Sequence, residues 1–186
     1  MLFSRRQLPN LITGLRIVLV VPIAWALAQL RFDATIVLFG AAAVSDAADG
    51  FLAKRFGWQS DLGALLDPIA DKLLLATVFV TLSILGLIPW WLMAAAVARD
   101  LIIVFGAIAY RYCIGPIRAH PSTVSKLNTL AQVAFILAVI VRQRYELPPA
   151  WVLSALGATV FLTVVVSGID YVVTYARRAL HPAAGP

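Results

Sequence analysis

Cysteine is almost missing from this chain of 186 residues: Cys113 stands alone, so no internal disulfide can form and no oxidised scaffold is implied. Histidine is nearly as scarce, with 2 residues, and no Cys/His cluster exists to support a zinc site. Charge is thin as well. Asp, Glu, Lys and Arg together make up 13% of the sequence, about half the share of a soluble domain, which argues against an ordinary globular surface. Acidic residues number 9 against 15 Lys and Arg, a formal charge of +6. In a soluble chain that surplus would point to nucleic acid. In so apolar a chain it fits cytoplasmic loops beside anionic lipid headgroups, and no nucleic-acid partner is expected. Repeats, low-complexity tracts and a second domain are missing too, so residues 1–186 read as one domain. Short cytoplasmic segments at about 1–10 and about 177–186 flank it.

What the chain has is apolar residues, 62% of the total, with a mean hydropathy of +0.92. A bilayer core is crossed by roughly 20 predominantly apolar residues. Six such runs are expected: Leu11 to Leu30, Ala34 to Ala53, Leu62 to Leu87, Trp90 to Tyr110, Val124 to Val141 and Trp151 to Tyr175. Trp90, Trp91 and Trp151 fall where an interfacial aromatic belt belongs. The fold class is therefore all-α, a polytopic membrane protein of six transmembrane helices. Arg5, Arg6 and the Ala26-Leu27-Ala28 triplet also resemble a signal peptide with a small-residue cleavage site. The length of the first run and the presence of Arg16 inside it favour a span.

Basic residues set the orientation. Arg5 and Arg6, Lys54 and Arg55, Arg111 and Arg118, and Arg177 and Arg178 fall at one set of ends, against Arg31, Arg142 and Arg144 at the other. That asymmetry predicts both termini in the cytoplasm. On this topology Arg16, Asp46, Asp49, Asp67, Asp71, Lys72, Arg99, Asp100, Lys126 and Asp170 all fall in the central or cytoplasmic half of a span. Ionisable groups at such depth are costly and face polar cavities, so a chamber open to the cytoplasm is expected.

The densest signal in that chamber is a run of carboxylates. Asp46 and Asp49 are spaced i,i+3, and Asp67 and Asp71 i,i+4, so each pair lies on one helix face. The short link from Lys54 to Leu62 makes the second and third spans antiparallel neighbours, which brings the pairs together. Four acids in a low-dielectric site repel one another unless cations lie between them. Hard divalent ions such as Mg²⁺ or Mn²⁺ suit an all-oxygen donor set. The bland alternative is ion pairing of the acids with Arg16, Lys72, Arg99 or Lys126. Gly50, Ala53 and Gly63 beside the acids would let either a phosphate-bearing ligand or a neighbouring helix approach closely.

The full pattern, Asp46-x2-Asp49-Gly50-x2-Ala53-Lys54-x8-Gly63-x3-Asp67-x3-Asp71, resembles the signature of the CDP-alcohol phosphotransferases. Six membrane helices around a polar, cytoplasm-facing metal site is also that family's architecture. The resemblance implies that Asp46, Asp49 and Asp67 ligate a pair of divalent cations, with Asp71 a further ligand or the catalytic base. It implies as well that Gly50, Ala53, Lys54 and Gly63, beside Asp49, line the site of a CDP-linked lipid donor. Lys54 departs from the usual Arg, keeping the charge but losing the planar fork. Transfer of a phosphatidyl group from CDP-diacylglycerol to an alcohol with release of CMP is the expected activity. A homodimer in a bacterial inner membrane is the expected setting.

The second half is similar to single-domain cardiolipin synthases, through Arg99-Asp100, Tyr110-Arg111 and Ser125-Lys126-Leu127-Asn128-Thr129. Phosphatidylglycerophosphate synthases often carry K-x-K-T where this chain has Lys126-Leu127-Asn128-Thr129. Asn in place of a second Lys suits a less charged acceptor, which favours phosphatidylglycerol over glycerol 3-phosphate. Arg99, Arg118 and Lys126 are the candidates for holding the acceptor phosphate. For Arg16, lining the donor site and anchoring its helix at the interface remain alternatives. A reading from another class is a non-enzymatic protein that binds or transports cations in the same acidic chamber.

Overall fold

The computed structural model describes the backbone of residues 8–56, 61–113 and 123–180, with side chains over 14–45, 70–106, 108 and 123–174. Within these the chain is all helical: α1 (Leu8–Ala28), α2 (Phe32–Phe56), α3 (Asp61–Ile84), α4 (Trp90–Cys113), α5 (Thr123–Tyr145) and α6 (Ala150–Leu180). The six apolar runs of the sequence each become one helix. The helices outreach the runs at several ends, because polar residues such as Asp61, or Arg177 and Arg178, extend a helix without being apolar. Among the described residues α5 and the Ala150–Thr174 stretch of α6 are long and apolar enough to cross a membrane, and Gly14–Ala28 and Phe32–Ser45 are shorter apolar helices.

The ends of the helices are built by local chemistry. At the end of α1, Leu30 adopts φ 57°, its N–H bonds to Leu27 O at 2.9 Å and Arg31 N–H bonds to Ala26 O at 2.9 Å. This is a left-handed Schellman stop, with leucine where glycine is the usual choice. The same pair of bonds closes α3, from Gly86 N–H to Ser83 O and Leu87 N–H to Leu82 O, and there the left-handed residue is Gly86 at φ 70°. Pro89 accepts the first bonds of α4 from Leu92 and Met93, so a residue without an N–H occupies a position that needs none. Arg144 Nε donates to Asp33 in the first turn of α2 at 2.8 Å, an exposed pair that solvent screens.

The chain divides into two compact units. One comprises Met1–Ile88 with Ile136–Pro148, the other Pro89–Phe135 with Pro149–Pro186. In the first, α1 packs on both α2 and α3. Its core is a set of helical stripes: Val20, Ile23 and Leu27 on α1, Thr35, Phe39 and Ala42 on α2, and Leu74, Val78 and Leu82 on α3. In the second, α4 packs on α6. Leu92 and Ala96 of α4 and Val160 and Val164 of α6 form its apolar stripes. Phe135 of α5 lies against Gly157, where a Cβ would meet its ring at 3.4 Å.

Outside these stripes the described helices are apolar as well. Val18, Val21, Trp25, Val37, Phe105, Leu130, Leu162 and Ile169 are all exposed. A surface this apolar, with a core that turns polar, reverses the arrangement of a soluble bundle.

Candidate active site

Each core stripe changes character at one end. On α1 the spacing that buries Val20, Ile23 and Leu27 also buries Arg16, one turn earlier, at 1% exposure. On α3 the stripe of Leu74, Val78 and Leu82 runs back through Asp71 and, by helical register, position 67. On α2 the stripe of Thr35, Phe39 and Ala42 runs forward, by the same register, through positions 46 and 49. Arg16 and Asp71 thus continue the core stripes of α1 and α3 in one unit.

The contact the structure describes there joins α1 to α3. Arg16 Nη1 donates to Asp71 Oδ1, with Arg16 buried and the Asp71 side chain 39% exposed. Arg16 is therefore turned into the core towards a carboxylate, and the alternative of an interfacial anchor does not hold. The ion-pair reading considered for the acids is realised at this one member among the described residues.

Asp46, Asp49, Gly50, Ala53 and Lys54 lie on α2, and Gly63 and Asp67 on α3, but their side chains lie outside the described residues, and Arg118 lies outside them entirely. Among the described residues no group of three or more His, Cys, Asp or Glu comes together. The chemistry of the donor set nonetheless fits a hard cation. All four candidates are carboxylates on successive turns of two helices, and Asp71 keeps an exposed face.

In the second unit the stripe of Leu92 and Ala96 ends in Arg99, which is 4% exposed. Its guanidinium ties three helices. Nε donates to Ser167 Oγ of α6 at 3.1 Å, Nη1 to Asp100 at 2.6 Å, and Nη2 to Ser125 Oγ of α5 at 2.7 Å and again to Ser167. Tyr171 places its ring 5.8 Å from the Arg99 Cζ, and Gly168 leaves room for the Arg99 stem to pass. Asp100 partly neutralises a charge that would be expensive to bury alone. Lys126, by contrast, is exposed in the first turn of α5. So of the three basic residues expected to hold an acceptor, one is accessible and one is a buried tie between helices.

Sequence reasoning misses Ser125, Ser167 and Tyr171 as partners of Arg99, and Thr163 as the partner of Asn128. Isolated hydroxyls in an apolar helix give little signal. Spacing is the available clue, since Val160, Val164 and Ser167 continue one stripe.

Comparison with known proteins adds to this geometry. The sequence model described as CDP-alcohol phosphatidyltransferase matches residues 6–177. A protein of Rattus norvegicus named cardiolipin synthase (CMP-forming) is 26% identical over 96% of this chain and 64% of its own length. One of Mycobacterium tuberculosis (strain CDC 1551 / Oshkosh) named probable phosphatidylglycerophosphate synthase is 34% identical over 80% of this chain and 66% of its own. A chloroplastic CDP-diacylglycerol–glycerol-3-phosphate 3-phosphatidyltransferase 1 of Oryza sativa subsp. japonica is 29% identical over 92% of this chain and 57% of its own. The chain thus spans somewhat less than two thirds of the length of these relatives. With a match that runs through both compact units, the chain belongs to the CDP-alcohol phosphatidyltransferase family.

Proposed function

We propose that this protein transfers a phosphatidyl group from CDP-diacylglycerol to an alcohol and releases CMP, with phosphatidylglycerol as acceptor and cardiolipin as product. The observation that carries the reading is the tie between the Asp71 carboxylate and the buried Arg16, beside the pattern of paired carboxylates in the sequence. Relatives named for this kind of transfer support it, and they cover both a lipid and a water-soluble acceptor.

Asp46, Asp49, Asp67 and Asp71 would hold two divalent cations, Mg²⁺ or Mn²⁺, which when bound offset charge on the diphosphate and its leaving group. Asp49, Gly50, Ala53, Lys54 and Gly63 bind the cytidine diphosphate end of the donor, the small residues admitting phosphate close to the backbone. Asp71 is the base. It takes the proton of the acceptor hydroxyl, whose oxygen attacks the phosphorus that carries the diacylglycerol. The bond from that phosphorus to the CMP oxygen breaks, and CMP leaves. Arg16 donates to Asp71 Oδ1 and holds the carboxylate in place.

Lys126 meets the acceptor phosphate at the N-terminus of α5, where the helix dipole adds to its charge. Arg99 supports it as a fixed cation, and Arg118 adds a further charge. The neutral Asn128, two residues on from Lys126, favours a singly charged phosphodiester over glycerol 3-phosphate. All six helices span the bilayer, with both termini and the site on the cytoplasmic side of a bacterial inner membrane. The whole chain acts as one domain and assembles as a homodimer.

A reconstituted assay of CMP release from CDP-diacylglycerol with separate acceptors tests this. Release with phosphatidylglycerol and not with glycerol 3-phosphate is expected. The reverse would make the protein a phosphatidylglycerophosphate synthase, and no release from folded protein with any acceptor would favour a cation-binding or transport role.

A further inference from the structure

Beyond Arg99 the polar character of the second unit does not stop. On α5 the residues Ser125, Asn128, Gln132 and Phe135 recur at intervals of three and four and share one face. Ser125 meets Arg99, and Phe135 closes against Gly157. Between them lie two amides. Asn128 is fully buried and Gln132 is 2% exposed, and neither Asn128 Nδ2 nor Gln132 Nε2 has a hydrogen-bond partner among the described residues.

Thr163 of α6 cannot satisfy both ends of Asn128. Its hydroxyl lies 3.0 Å from Asn128 Oδ1, 2.9 Å from Thr159 O and 3.0 Å from Val160 O, and it has one proton to give. Whichever way the Asn128 amide is turned, Thr163 satisfies one end and leaves the other. Two buried amides with open hydrogen-bonding ends, one helical turn or about 6 Å apart, are costly in an apolar bundle. Such a pair makes sense where an oxygen-bearing guest completes it.

The guest's chemistry follows from the groups. An amide offers a donor and an acceptor side by side, and a hydroxyl does the same, so hydroxyls complete the pair in either amide orientation. A phosphate oxygen only accepts, whereas a hydroxyl both donates and accepts, so the amides match a hydroxyl more fully than a phosphate. Phe135 and Leu92 put apolar side chains at Gly157, on the far side of Gln132 from Ser125.

We propose that Asn128 and Gln132 form the specificity wall for the acceptor alcohol, hydrogen-bonding the hydroxyls of a vicinal polyol headgroup. This rests on the phosphatidyl-transfer reading and names what selects its acceptor. Both residues touch substrate through neutral amides, and Thr163 is a positioning residue that sets the Asn128 rotamer.

The test uses the whole chain in detergent–lipid micelles and the near-isosteric variants Gln132→Met and Asn128→Leu, which keep volume and remove the hydrogen bonds. The acceptor KM, measured with whichever of phosphatidylglycerol and glycerol 3-phosphate supports CMP release, should rise about tenfold, the value of one neutral hydrogen bond, with the CDP-diacylglycerol KM unchanged. An unchanged acceptor KM, with or without loss of thermal stability, overturns the proposal and makes the pair structural. A second measurement does not need turnover. Phosphatidylglycerol or glycerol 3-phosphate should raise the thermal unfolding midpoint of the wild type and not that of Gln132→Met. Equal shifts in both, or none in the wild type, also overturn it. A wild type that releases no CMP yet shows the variant-sensitive shift separates the two readings: the polyol site stands and the transfer reaction falls.

Discussion

Arg16 and Arg99 take corresponding places in their helices. Each sits on a buried stripe one turn beyond apolar residues, and each is held by a partner from another helix. Their surroundings differ in a way that decides what substitution does. Arg99 satisfies hydroxyls on α5 and α6 through a planar fork, which lysine cannot reproduce. Arg99→Lys should therefore lower the unfolding free energy in detergent by about 3 kcal/mol, since it loses charged hydrogen bonds and strands Ser125 or Ser167. Equal denaturant midpoints for the variant and wild type would show that the tie is not needed. Asp71→Asn is milder for the fold, because the amide oxygen still accepts from Arg16. It should cut CMP release by about 10²–10⁴-fold while CDP-diacylglycerol binding persists. Normal turnover in that variant would move the base elsewhere. At this scale the sequence is most informative about the acids, since carboxylates inside apolar runs stand out. It is least informative about Arg99, because two of its partners, Ser125 and Ser167, are hydroxyls with no charge signal.

Among the elements, all six helices are legible, because each is a long apolar run bounded by polar or proline-containing residues. Their ends are not. Hydropathy follows lipid contact, while a helix stops where its last carbonyls find partners, so α2 runs on past Ala53 to Phe56 and α6 past Tyr175 to Leu180. The two Schellman stops make a matched comparison. Leu30 bears the left-handed penalty of a side chain, is 55% exposed and gives up no core by becoming glycine. Leu30→Gly should gain about 1 kcal/mol and Gly86→Ala should lose about 1 kcal/mol, since at Gly86 a Cβ meets nothing within 4 Å and the backbone alone is strained. Thermal unfolding of the pair checks this. Shifts of the same sign would mean that the turns are not set by these two residues.

Across the described residues of α1, α4, α5 and α6, the buried stripe is apolar over most of its length and polar at one end. That is how an apolar exterior and a charged interior coexist in 186 residues with so little charge. The division into two compact units is not legible in the sequence, because α5 contributes its Thr123-to-Phe135 portion to one and its remainder to the other, and no break in composition marks the change. The central claim is the proposal that the four carboxylates of α2 and α3 act through divalent cations on a CDP-linked lipid. Its most direct test is CMP release from CDP-diacylglycerol, with phosphatidylglycerol present, by purified protein before and after a metal chelator. The account predicts release that stops on chelation and returns when Mg²⁺ or Mn²⁺ is restored. Release that continues undiminished in excess chelator would contradict it.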